Sequence, residues 1–151
     1  MKELQMIAEI TEHLVQQIST VPALAGSTGT TIGGTEADPT MTTIPVPAMW
    51  VVFESAQDAS QNDGKTGSDS RYQRLVLTYR AVLVLQYGQG EADLNLQLKM
   101  IEDVAAAVRG TTPLDYGATP WAYQGCSLMS VETDRIVYSM SFQTSAHYKS
   151  T

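Results

Sequence analysis

Apolar residues recur over the first twenty positions at steps of three and four: Leu4, Ile7, Ile10, Leu14, Ile18 and Val21, with Ala8 and Val15 beside the stripe. That period places them on one side of a helix over residues 3–20, and Pro22 stands where such a helix stops. Residues 21–45 then lose all period. They are rich in Gly, Thr and Pro, with the run from Gly26 to Gly34 at their centre, and predict a long loop. Val46–Glu54 is apolar, β-branched and aromatic, which predicts a strand carrying Pro47 near its start or on a sheet edge. A polar loop is expected over 56–70, with a turn signal at Asp63-Gly64.

Residues 71–87 carry the clearest alternation in the chain. Leu75, Leu77, Tyr79, Ala81, Leu83, Leu85 and Tyr87 share one face of a strand, and Arg74, Thr78 and Arg80 share the other with Val76, Val82 and Val84. At ~3.3 Å per residue such a strand spans about 56 Å, so it bends or runs out as an arm. Its mixed face predicts a subunit interface.

Gly88 and Gly90 break the strand, and a second helix is expected over 91–109. Glu91 and Asp93 suit its amino end, Arg109 its carboxyl end, and Gly110 its termination. Its apolar positions form two adjoining stripes, Leu94, Leu98, Ile101, Ala105 and Val108, then Leu96, Met100, Val104 and Ala107. Together they cover about 200°, twice the arc needed to lie on one sheet. A second surface must therefore be covered, either by the first helix or by a neighbouring subunit.

A loop over 111–122 holds Pro113, Pro120 and Trp121. Two further strands are expected at 123–132 and 135–147, joined near Thr133-Asp134. In the last, Ile136, Tyr138, Met140, Phe142 and Ala146 point inward, and Arg135, Ser139, Ser141, Gln143 and Ser145 outward. The order of elements is α-β-β-α-β-β. The predicted fold is α+β, an antiparallel sheet of about four strands with both helices packed on one face.

The chain has 151 residues, 43% of them apolar and 17% charged, enough for a single domain with one core. No apolar run approaches the roughly 20 residues that cross a membrane as a helix. The amino terminus enters a helical pattern at once, so no secretory leader is expected. Charge is uneven. Residues 1–70 hold nine acids and two bases, whereas 71–151 hold seven of each, so the whole net charge of −7 lies in the first half. A field of that sign repels phosphates, and no specific nucleic-acid binding is expected.

Candidate chemistry is sparse. His13 falls on the polar side of the first helix and reads as a solvated surface residue. His147 falls on the polar parity of the last strand, without a neighbouring carboxylate. The lone Cys126 alternates with Leu128 and reads as a small apolar residue; a Cys126–His147 dyad would lack a third orienting group. Ala59 to Thr66 resembles a phosphate-binding loop, but Ala59 stands where glycine is required and no helix follows. Gly33-Gly34 lacks the strand–turn–helix setting of a dinucleotide site. The chain is therefore expected to be no enzyme, with no catalytic, metal or cofactor residues.

Four stretches together resemble the tail-terminator proteins of long-tailed bacteriophages. The first helix runs into Val21-Pro-Ala-Leu-Ala-Gly26. The strand pair Trp50–Glu54 and Leu75–Tyr87 is parted by a polar insertion. A helix at Asp93–Arg109 follows directly. A closing hairpin then contains Trp121-Ala-Tyr123-Gln-Gly125 and ends in Tyr138-Ser-Met-Ser-Phe142-Gln-Thr144. The likeness is one of layout across nearly the whole chain, and residues 27–45 and 56–70 look like insertions. It implies a structural virion protein: a hexameric ring at the head-proximal end of the tail. The implied partners are the tail tube protein, a neck or head-completion protein, and a sheath where the tail contracts. DNA would pass through the ring, past an acidic lumen, without specific contact. A head–tail joining protein and, further off, a small cytoplasmic ligand-binding domain remain alternatives. The expected interface residues are Trp50, Asp58, Lys65, Asp69, Arg74, Arg80, Leu96, Met100, Val104 and Trp121.

Overall fold

The computed structural model describes residues 2–25, 28–32, 46–58, 72–87, 91–131 and 134–149. Helix α1 (Lys2–Ser19) closes through Val21 N–H donating to the Ile18 carbonyl at 3.0 Å, and Pro22 starts a single 3-10 turn at Pro22–Leu24. Its buried face is Met6, Ile7, Ile10, Leu14 and Ile18, whereas Leu4, expected in that stripe, is exposed. Thr11, a polar residue inside the apolar face, is satisfied: its hydroxyl lies within hydrogen-bond distance of both the Ile7 carbonyl (2.6 Å) and the Tyr79 hydroxyl (3.0 Å), either of which can take its single proton.

Within the stretch expected to be all loop lies a short strand, β1 (Thr28–Ile32), parallel to β2 (Ala48–Asp58). Strand β2 starts at Ala48, two residues after the expected Val46, so that Pro47 stands just before it. It runs on past Glu54 through a register shift to Asp58, four residues beyond the predicted end. Strand β3 (Tyr72–Gln86) pairs antiparallel with β2 on one side and, over all fifteen residues, with β5 (Arg135–Lys149) on the other. The long strand is thus paired throughout and is not a free arm. Helix α2 (Glu91–Val108) precedes β4 (Ala122–Val131), which forms the far edge, giving the order β1-β2-β3-β5-β4. The four antiparallel strands and two helices match the sequence reading, with β1 added at one edge.

Both helices cover the same face. The odd positions of β3 from Leu75 to Leu85 are buried against them, together with Met49, Val51, Met140, Phe142 and Ala146. Gly110 has φ +81°, the left-handed conformation that ends α2 where glycine suits it. The opposite face carries a smaller cluster of Val82, Val84 and Val137, with Val46, Trp50 and Val52 packed against it. Val82, Val84 and Val137 are already buried within the chain, so of the valines expected at a subunit contact on this face only the half-buried Val76 keeps exposed surface. Arg135, expected to point outward, is buried too, 3.9 Å from the Asp134 carboxylate.

Candidate assembly interface

The apolar arc of α2 is centred on Gln97, which faces the sheet and accepts a hydrogen bond from the Tyr138 hydroxyl at 3.0 Å. Around that axis the carboxyl half of the helix is covered: Val104, Ala105 and Val108 are buried. The amino half is not. Leu94, Leu96 and Leu98 are 48%, 65% and 48% exposed. The first helix thus meets only part of the second surface that the sequence demanded. Leu96 and Met100 wall a groove of about 480 Å³ together with Val46, Pro47, Leu85 and Tyr87, with Gln86 and Gln97 its polar side chains.

Edge strand β4 is a second exposed apolar surface. It contains no charged residue, and Leu128, Met129 and Val131 are each about half exposed. Met129 is the extra residue of a register shift between Leu128 and Ser130, without a partner of its own on β5. Two register shifts against β5, at Tyr123/Gly125 and Leu128/Ser130, bend this edge, a common way of limiting open-ended strand pairing. Gly125 sits in the first shift with φ +128°. A third apolar group is Leu114, 93% exposed in the loop after α2. Leu96 and Leu94 flank opposite sides of the buried Gln97 on α2, so the exposed apolar side chains are distributed over several places on the surface.

The ten expected interface residues scatter. Leu96 and Met100 come together in the groove. Trp50, half-buried, and Arg80 lie on the sheet face away from the helices, where Trp50 pairs with Val82 and Arg80 with Val52. Arg80 Nε is buried without a hydrogen-bond partner among the described residues. Arg74 is exposed opposite His147 at the far end of that face. Asp58 is half-buried at the end of β2, opposite Leu75. Lys65 and Asp69 lie outside the described residues.

Val104 and Trp121 correct the expectation. Both are core residues, 0% and 2% exposed, and so offer no surface to a partner. Trp121 stands edge-on to Tyr79 with ring centroids 5.5 Å apart, and its indole N–H donates to His13 Nδ1 at 3.0 Å. The same contact corrects His13, which is half-buried and not a solvated surface group; burial lowers its pKa from the usual 6.5. Leu114 and the exposed side of β4 were missed. The adjacent apolar pair Leu128-Met129 was the available signal for β4.

A Cys126–His147 dyad does not form. Cys126 pairs with Met140, seven residues along β5 from His147, a separation of about 23 Å at ~3.3 Å per residue. Cys126 is exposed at the strand edge, and desolvation pushes its thiol pKa up, away from the reactive thiolate. Among the described residues no group of three His, Cys, Asp or Glu side chains is placed to hold a metal ion. No helix there is long and apolar enough to cross a membrane.

No protein-family model and no curated protein matches this chain. The architecture does match a solved structure. A chain of the virion of a native gene transfer agent particle superposes with a TM-score of 0.55 at 14% sequence identity, over 89% of this chain and 91% of that one. At that identity the likeness is one of fold, and it extends from end to end of both molecules.

Proposed function

We propose that this chain is a structural protein of a phage-like particle. In the finer form of this reading it is a subunit of the ring that terminates the tail tube and offers the head or neck proteins their attachment surface. The observation that carries it is the end-to-end fold likeness to a chain of a gene transfer agent virion. Exposed apolar side chains support it: Leu94 and Leu98 on one flank of α2, Leu96 on the other, Leu128, Met129 and Val131 on edge strand β4, and Leu114 are left uncovered. A ring needs two different patches on each subunit, because its head-to-tail interface closes by rotation. The role is one of assembly, not catalysis, and the implied neighbours are further copies of the chain, the tube protein and a neck protein.

Tail length decides between this role and its nearest neighbour, a head–tail joining protein. In particles made without this chain, a missing terminator leaves tube growth unchecked and gives tails of abnormal, variable length. A missing joining protein gives tails of normal length that fail to hold a head. Normal tails on intact heads would remove both roles.

A further inference from the structure

We propose that His13 is a pH-controlled latch between α1 and the loop over residues 111–121: neutral, it holds the Trp121 indole, and protonated, it releases it. The latch rests on the direction of one hydrogen bond. The Trp121 indole can only donate, so His13 Nδ1, 3.0 Å away, must accept, which fixes the neutral ring with its proton on Nε2, toward the Gln17 side-chain amide 3.5 Å away, whose oxygen must then face it. A second proton goes onto Nδ1 and turns the acceptor into a donor aimed at a donor. Trp121, 2% exposed, then keeps a buried N–H with no acceptor there.

The surroundings set which way the balance tips. On α1 itself Glu9 and Glu12 line the same shallow groove as His13, and from the loop Asp115 and Tyr116 face it. Their carboxylates favour a charged ring. Burial opposes it and prevails, holding the His13 pKa below its usual value. From β3, Tyr79 stands behind Trp121, its hydroxyl pushed up to about 12 by burial, so it stays neutral throughout the acid range. From β5, His147 lies across the loop beside Gly117.

Opening is one-sided. The loop meets α1 through two side-chain bonds, Trp121 to His13 and the Tyr116 hydroxyl to Glu9. It meets β5 through backbone bonds that carry no titrating atom, Thr119 N–H to Ser145 O at 2.9 Å and His147 N–H to Tyr116 O at 2.7 Å. Acid therefore loosens the seam with α1 while the seam with β5 holds. The segment freed on one side is the one that displays Leu114.

The test follows hydrogen-exchange protection at three sites in the full chain by NMR, from pH 7.5 to 4.5. The sites are the Trp121 indole, assigned with the aid of Trp50→Phe, and the Thr119 and His147 amides. We expect indole protection to fall at least tenfold, with a midpoint below 6.5 that coincides with the titration of the His13 ring in the same sample. The two amides should keep their protection. In His13→Gln, whose amide oxygen accepts but does not titrate, indole protection should stay level. Unchanged indole protection in the wild type would overturn the latch. So would an equal fall in His13→Gln, which places the proton on Glu9, Asp115 or His147, or a simultaneous loss at all three sites, which is acid unfolding. Should His13→Gln fail to fold, the coincidence of the two wild-type midpoints decides alone.

Discussion

Tyr79 is the residue around which the helix layer is fixed to the sheet. Its ring is fully buried between Phe53 and Trp121, and its hydroxyl donates to the Ile7 carbonyl while accepting from Thr11. Removing that hydroxyl in Tyr79→Phe should cost about 0.5–1.5 kcal/mol in urea unfolding, since a satisfied buried bond is lost and the Ile7 carbonyl keeps its other donor. Alkali should act on the same group. Its folded pKa is raised from 10.0 to about 12, so the stability it confers is complete below pH 10 and is lost as pH rises toward 12. By pH 11.5 the loss on this group amounts to about 2 kcal/mol, which Tyr79→Phe should abolish when denaturant titrations at pH 8 and pH 11.5 are compared. At this scale the sequence was half legible. Period two placed Tyr79 inside, but nothing in the periodicity of residues 111–122 shows that they fold back onto α1. Hence Trp121 was read as surface and His13 as solvated, two errors with a single cause.

Among the elements, β3 was the most legible because both of its faces answer to different demands. Its odd positions from Leu75 to Leu85 meet the helix layer, so that stretch of the face is apolar throughout, with Gln73 left at the end. Leu83, fully buried there, should cost ~2–5 kcal/mol as Leu83→Ala in chemical denaturation, whereas a loss near zero would mean the faces are reversed. The even positions were harder to read, since Val82 and Val84 sit in a second small cluster at one end while Arg74 is exposed at the other. Strand β1 escaped notice for a physical reason. Thr28-Gly-Thr-Thr-Ile32 has one large apolar residue, and it is held as a strand by pairing with β2, a tertiary contact that local pattern does not encode. Helix α2 is the converse case. The width of its apolar arc correctly announced surplus surface, and the structure localises that surplus to the amino half, around Leu96.

For the whole molecule, that surplus is where assembly should be felt. Leu96→Asp places a charge on a side chain that is 65% exposed, so the isolated fold should change by less than about 0.5 kcal/mol. Incorporation into particles should nevertheless fall at least tenfold, read as the ratio of variant to wild type in purified virions from a mixed expression. Equal incorporation would show that the groove beside α2 faces no partner. The fold itself is shared over about nine-tenths of the chain with a chain of a gene transfer agent virion: 89% of this chain and 91% of that one superpose. The most direct measurement is gold-antibody labelling of intact particles viewed by electron microscopy, with the antibody shown to bind the folded protein. A single band of label between head and tail is the predicted result. Particles that carry no label at any position would contradict the account.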